Sequence, residues 1–114
     1  CDEIAEVLDK TGLSKQQKDE ILKIESELSI IARQGRAFGI HLVLATQRPD
    51  AAILNGQIRN NIDTRICGRA DNVLSQIILD NTDASDKIAK SSQGRFLTNS
   101  GKIFQAYWFD ENIL

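Results

Sequence analysis

The chain has 114 residues and a formal net charge of −2, with 41% hydrophobic and 26% charged residues, so it accommodates at most one small domain. No apolar run approaches the roughly 20 residues of a membrane-spanning helix, and no basic segment followed by an apolar one indicates a signal peptide. Its two cysteines, Cys1 and Cys67, lack metal-ligand spacing, which favours a reduced, cytosolic protein.

The first predicted elements along the chain are helical. Residues 3–9 are predicted to form a short helical or irregular segment. Ser14 is predicted to cap a long helix that runs to about Gln34, because Gln17 has the spacing of a capping box. This helix carries a core-facing stripe with 3-4-3 spacing at Ile21, Ile24, Leu28 and Ile31.

A predicted strand over residues 40–46 leads into the most informative part of the sequence. Its residues are apolar apart from His41, which suits a strand buried on both faces, as in a parallel sheet. Three polar residues and a proline follow, namely Thr46, Gln47, Arg48 and Pro49. Because ligands of open α/β sheets bind at the carboxyl ends of strands, the polar residues form a candidate site.

The rest of the chain continues the alternation of helices and strands. The predicted elements are a helix over 51–60, a strand over 62–68, a helix over 72–80, a helical turn near 85–89 and strands over 94–98 and 102–109. Asp71 is predicted to cap the second of these helices, and Asn99-Ser100-Gly101 to turn the last two strands into a hairpin. The order predicts an α/β fold with a mainly parallel sheet and a terminal antiparallel hairpin.

Arginines are concentrated in the middle of the sequence. The stretch 33–69 holds six arginines, no lysine and two aspartates, a net charge of +4, whereas the remainder carries −6. Arginine is suited to bidentate contact with phosphate or carboxylate. The clustering near predicted strand ends favours an anionic partner, and it equally fits a solvated surface with chance clustering.

Several of these segments together resemble one known family. They are Asp2-Glu3, the long helix ending in Ala32-Arg33-Gln34-Gly35-Arg36-Ala37, the run from Gly39 to Pro49, Ile62-Asp63-Thr64-Arg65-Ile66, Leu79-Asp80 and Gln93-Gly94-Arg95-Phe96. This pattern resembles the motor domain of the FtsK/SpoIIIE family of DNA-pumping ATPases, hexameric motors that move double-stranded DNA in cell division, sporulation or conjugation. Relatives drive type VII protein secretion. The resemblance implies the C-terminal half of a RecA-like P-loop NTPase three-layer sandwich, with residues 1–114 as a partial ATPase domain.

The resemblance also implies roles for the acidic pair and for the strand end. Asp2 matches the Walker B aspartate, which is associated with Mg²⁺, and Glu3 matches the catalytic glutamate. Gln47 is placed to sense the γ-phosphate of ATP or to orient the attacking water, and Thr46 to assist in nucleotide binding. The alternative is structural: an acidic pair is common on any exposed surface, and Gln47 would then only bond a neighbouring loop.

Other residues have competing interpretations. Arg36 and Arg65 are candidates for contacts to phosphate or across a subunit boundary, and Arg65 equally fits a structural pair with a carboxylate such as Asp63 or Asp71. His41 is expected to be structural. The aromatic residues of the final strand, Tyr107, Trp108 and Phe109, are expected to pack rather than to stack on bases.

One departure from the family is large, because no Gly-x-x-x-x-Gly-Lys-Ser/Thr motif occurs in the chain. That loop holds the phosphates of ATP, so ATP and Mg²⁺ binding are expected of an intact parent motor and this chain alone is expected not to hydrolyse ATP. The alternatives are a non-catalytic interaction module or part of a secretion ATPase. The parent is expected to bind double-stranded DNA as a hexameric ring and to be membrane-anchored with its motor in the cytoplasm, whereas this chain alone is expected to form dimers or aggregates.

Overall fold

A computed structural model describes residues 1–47, 54 and 56–113, and the chain divides into two compact units, Cys1–Asp63 and Thr64–Leu114. The helices are α1 (Ile4–Leu8), α2 (Lys15–Gln34), α3 (Gly56–Asn60), α4 (Asn72–Leu79) and α5 (Asp83–Asp86), the strands are β1 (Ile66–Cys67), β2 (Arg95–Thr98) and β3 (Ile103–Gln105), and 3₁₀ turns span Gly35–Phe38 and Glu111–Ile113. The fold is therefore mixed α/β. Arg48, Pro49 and the start of the predicted helix over 51–60 lie outside the described residues.

The bounds of α2 follow the local signals of its sequence. The Ser14 hydroxyl accepts a hydrogen bond from the Gln17 amide at 3.3 Å, and the Gln17 side chain accepts one from the Ser14 amide at 3.0 Å. This confirms the predicted capping box. At the other end, α2 is capped by Gly35, and the 3₁₀ turn that follows ends at Gly39, whose left-handed φ of 71° carries no steric cost for a glycine.

The core of the first unit lies between α1, α2 and α3. Its buried residues are Ile4, Leu8, Leu54 and Ile58, and the partly buried Ile21, Leu28 and Leu44 pack against them. The predicted stripe of α2 is thus only partly correct, since Ile24 is exposed. Glu25 instead lies between Ile21 and Leu28 on the inward face, where it is buried and forms an ion pair with Lys10.

The predicted strand over 40–46 is not a regular strand in the structure, and its predicted burial on both faces is wrong. Exposed and half-buried residues alternate along it, and Val43 is 78% exposed. Leu44, on the opposite face, packs against the core of the first unit. The segment is therefore covered on one face, as expected for an extended chain whose side chains alternate between two sides.

The sheet of the second unit corrects the predicted mainly parallel topology. Its strands follow the order β1-β2-β3, and both neighbouring pairs are antiparallel, with Ile66 opposite Thr98 and Leu97 opposite Ile103. The hairpin is confirmed, but the strand predicted over 62–68 is reduced to Ile66–Cys67. The sheet is antiparallel because β1 pairs with the hairpin strand β2. This pairing joins segments that are far apart in sequence.

The core of the second unit consists of Cys67, Leu79, Ala84, Ile88 and Leu97. The aromatic residues that follow β3 do not join it: Tyr107 is 100% exposed and Trp108 is 87% exposed, so the prediction that they pack is wrong. The reason is that β3 ends at Gln105, before the aromatic run begins. Among the residues described, no helix is both long and apolar enough to cross a membrane.

Candidate functional site

The first three residues run beside residues 43–47 in the same direction. The amino group of Cys1 donates to the Val43 carbonyl at 2.8 Å, and the Ala45 amide donates to the Cys1 carbonyl at 2.9 Å. Cys1 is thus bonded to the two residues on either side of Leu44. This is the hydrogen-bond pattern of parallel strands. The pairing carries Glu3 to the end of the 40–46 segment, which is where the sequence placed the polar residues.

The Glu3 carboxylate lies at the centre of the candidate site. The Thr46 hydroxyl donates to its Oε1 atom, and the backbone amide of Gln47 donates to its Oε2 atom at 3.0 Å. Glu3 and Thr46 are half-buried, whereas Gln47 is exposed. The structure thus brings together three of the residues that the sequence singled out, although Glu3 lies 43 and 44 positions from Thr46 and Gln47.

This arrangement suits a carboxylate that acts as a general base. Hydrogen bonds donated to a carboxylate favour its ionised form, which is the form that accepts a proton from water. Two donors on different oxygens also fix the plane of the group, since a bond to each oxygen opposes rotation about the terminal torsion of the side chain. The geometry therefore provides an oriented carboxylate acceptor at a chain position next to solvent.

Asp2 lies beside this carboxylate in sequence and is exposed. Within the described part of the chain, no group of three or more histidine, cysteine, aspartate or glutamate side chains is placed to hold a metal ion. Mg²⁺ in nucleotide sites keeps several waters and uses one or two carboxylates together with substrate phosphates. Asp2 therefore fits the role of one carboxylate near a Mg²⁺–nucleotide complex, and it does not fit a dedicated protein cage for the metal.

Arg36 lies in the 3₁₀ turn that follows α2 in the first unit. Its guanidinium is 3.6 Å from the Asp63 carboxylate, and both side chains are more than four-fifths exposed, at 86% and 83%. An ion pair so exposed contributes little to stability. Arg36 also lines an open cavity of about 700 Å³ together with Arg33, Gln34, Ala37 and Phe38, so its charge faces solvent.

Arg65 belongs to the second unit and is engaged by structural partners. Its Nη1 atom donates to the Ile78 carbonyl at 3.1 Å and to the Asp80 carboxylate at 2.9 Å, and its backbone amide donates to the Asn99 side chain at 3.0 Å. The predicted type of carboxylate pair therefore exists, with Asp80 in place of Asp63 or Asp71. The side chain joins β1 to the end of α4.

Asp80 and Asn99 are the residues that reasoning from the sequence missed at this position. Asp80 has φ of 60° and caps α4, a left-handed conformation that aspartate and asparagine tolerate better than most residues. Its place directly after the last apolar residue of α4 was a signal for this role. Nothing local in the sequence indicates that Asn99 would bond to Arg65.

Comparison with known proteins places these features in a family, although no family model matches the chain. The chain is 32% identical over 96 residues to the DNA translocase FtsK of Haemophilus influenzae, covering 81% of this chain and 18% of that protein. It is 36% identical over 93 residues to the DNA translocase FtsK of Tropheryma whipplei, covering 78% of this chain and 12% of that protein.

A solved structure agrees with these relatives. The pCW3 conjugation coupling protein TcpA, in a monomer form with ATPγS, matches with a TM-score of 0.87 and 43% identity over 98% of this chain and 32% of its own. The chain belongs to the FtsK/SpoIIIE family. This FtsK/SpoIIIE chain spans less than a third of the length of each of these proteins.

Proposed function

We propose that this chain is part of an ATP-driven translocase of double-stranded DNA, acting in chromosome segregation or conjugative transfer. Support comes from two relatives named DNA translocase FtsK and from a coupling protein solved with ATPγS. The observation that carries the proposal is the Glu3 carboxylate, which accepts hydrogen bonds from Thr46 and Gln47 at the end of a neighbouring segment.

In the complete motor, the proposed roles divide among the residues of this site. Glu3 accepts the proton of the water that attacks the γ-phosphorus, while the bond to the leaving ADP oxygen breaks. Asp2 supplies one carboxylate near Mg²⁺, which neutralises developing phosphate charge when bound. Gln47, whose side chain is exposed, is proposed to contact the γ-phosphate. Arg36, also exposed, is proposed to contact a phosphate or a neighbouring subunit.

The wider assembly belongs to the same proposal. The complete protein is proposed to form a RecA-like sandwich, a hexameric ring around DNA and a cytoplasmic motor on a membrane-anchored chain. No Gly-x-x-x-x-Gly-Lys-Ser/Thr motif occurs in this sequence. The alternative function is a non-catalytic interaction module that has kept the shape of the motor.

The test is DNA-stimulated ATPase activity of the complete protein that contains this sequence. Glu3→Gln, which keeps the shape of the side chain and removes its charge, is expected to lower kcat by about a hundredfold or more. Glu20→Gln, an exposed change on α2, is the matched control and is expected to leave kcat unchanged. No ATPase activity would favour the interaction module, and activity without DNA stimulation would favour the secretion ATPase.

A further inference from the structure

Two of the groups that contact the Glu3 carboxylate differ in kind. Gln47 donates with its backbone amide, which a change of its side chain leaves in place. Thr46 donates with its side-chain hydroxyl, and a substitution that removes the hydroxyl therefore removes this contact. The sequence grouped Thr46 and Gln47 together as nucleotide contacts, but in the structure they contact Glu3 through different groups.

The exposure of the two side chains supports this separation. In an extended segment, successive side chains point to opposite sides. Thr46 is half-buried and its hydroxyl contacts Glu3, whereas Gln47 is exposed. The Thr46 side chain is thus directed towards the carboxylate, whereas the Gln47 side chain is exposed to solvent.

We propose that Thr46 is a positioning residue, whose hydroxyl orients the Glu3 carboxylate for general-base catalysis. A glutamate side chain has several rotatable bonds, so a productive orientation requires contacts that select one rotamer. A misplacement of about 1 Å at a reacting group costs about a hundredfold in rate. This inference rests on the proposed function, because it requires Glu3 to be the catalytic base.

The primary test compares Thr46→Val with Thr46→Ser in the complete, DNA-stimulated protein. Valine has nearly the shape of threonine and lacks the hydroxyl, so kcat is expected to fall about tenfold or more while the affinity for ATP is retained, because the bond lost is one to a charged group. Serine retains the hydroxyl and is expected to stay within about threefold of the wild type. A fall in ATP affinity with unchanged kcat would overturn the inference and assign Thr46 to nucleotide binding.

A double-mutant cycle with Glu3→Gln shows whether Thr46 acts through Glu3. Residues that act as one unit give non-additive effects. Thr46→Val is therefore expected to have little further effect on single-turnover phosphate release once Glu3 carries the Gln substitution. If Thr46→Val lowers the single-turnover rate by the same factor with and without Glu3→Gln, Thr46 does not act through Glu3. Circular dichroism of each variant shows whether the fold is retained, and Thr46→Ala replaces Thr46→Val if the valine variant fails to fold.

The outcomes distinguish this inference from the proposed function. If Glu3→Gln retains full activity, the catalytic role of Glu3 fails and the inference fails with it. If Glu3→Gln is inactive and Thr46→Val is fully active, only the inference fails. An additional measurement needs no ATP: in the complete protein, the Gln47 amide resonance is expected to shift in Thr46→Val in the direction seen in Glu3→Gln, and an unmoved resonance would overturn the proposed orientation.

Discussion

Replacement of Arg65 by methionine would distinguish a structural arginine from one that contacts phosphate or another subunit. Arg65→Met keeps much of the aliphatic stem and removes the bonds to the Ile78 carbonyl and the Asp80 carboxylate. A hydrogen bond from a charged donor contributes roughly 1.5–3 kcal/mol. The ion pair adds at most about 1 kcal/mol, since the Asp80 side chain is 59% exposed although that of Arg65 is only 21% exposed.

The free energy of unfolding is therefore expected to fall by about 2–3 kcal/mol. For a domain of this size, that change lowers Tm on the order of 10 °C. Urea unfolding followed by far-UV circular dichroism measures the loss, provided that the m-value stays constant. The matched variant Asp80→Asn keeps a residue that tolerates φ of 60° and removes only the ion pair, so its cost is expected to stay below about 1 kcal/mol.

The opposite result would refute this reasoning. If Arg65→Met changed the free energy of unfolding by less than about 0.5 kcal/mol and abolished ATPase activity of the complete protein, Arg65 would act on phosphate or on a neighbouring subunit. If Arg65→Met lowered the free energy of unfolding only as much as Asp80→Asn does, the bond to the Ile78 carbonyl would contribute nothing measurable. That result would refute the part of the reasoning that concerns this bond.

Four further predictions concern the chain by itself. The purified 114-residue chain is expected to show no ATP hydrolysis above background in a phosphate-release assay, and turnover that Glu3→Gln removes would contradict this. Sedimentation is expected to show dimers or larger species because aromatic side chains such as Trp108 are exposed. A clean monomer at high concentration would contradict this prediction. Burial raises the pKa of the Cys67 thiol, so iodoacetamide at pH 8 is expected to label exposed Cys1 well before Cys67. The same pKa increase means that the contribution of Cys67 to stability is full below the unfolded-state pKa and declines as pH rises above it, which urea midpoints between pH 7 and pH 10 measure.

The features that the sequence predicted well depend on neighbouring residues. The capping box at Ser14 and Gln17, the cap of α4 by Asp71 and the turn between β2 and β3 each need contacts within a few positions. Such contacts are nearly the same in any fold that contains the element. Local signals therefore identified the start of each long helix and the hairpin, although not the lengths of the strands.

The features that it predicted poorly depend on which distant segments meet. The apolar run over 40–45 indicated burial on both faces, but its neighbour in the described structure is the short segment around Cys1. Similarly, nothing near Ile66 reveals that β2 will pair with it in the antiparallel sense. Apolar content indicates that a segment is extended and partly covered, whereas its partner and direction depend on the rest of the fold.

The candidate site shows the same division. The expectation that Glu3 and the residues after the 40–46 segment lie together came from strand ends and from the family resemblance, and the structure places them in contact. The nature of the contact was not predictable, because a hydroxyl and a backbone amide become the donors only once the two segments are set side by side. The resemblance indicated which residues lie close together, and the structure shows which of their atoms form hydrogen bonds.

The arginine count illustrates why a charge total is a weak guide to a binding surface. The guanidinium of Arg65 donates to the Ile78 carbonyl, and that of Arg69 to the carbonyls of Ser85 and Ile88, so both hold the backbone of the second unit in place. Arg33 likewise donates from its Nε atom to the Ser29 carbonyl at 3.3 Å, whereas the exposed guanidinium of Arg36 lines an open cavity of the first unit. Since a guanidinium bonded to carbonyls keeps its charge but has fewer donors for a ligand, the anionic partner suggested by the sequence would be recognised mainly where donors face solvent.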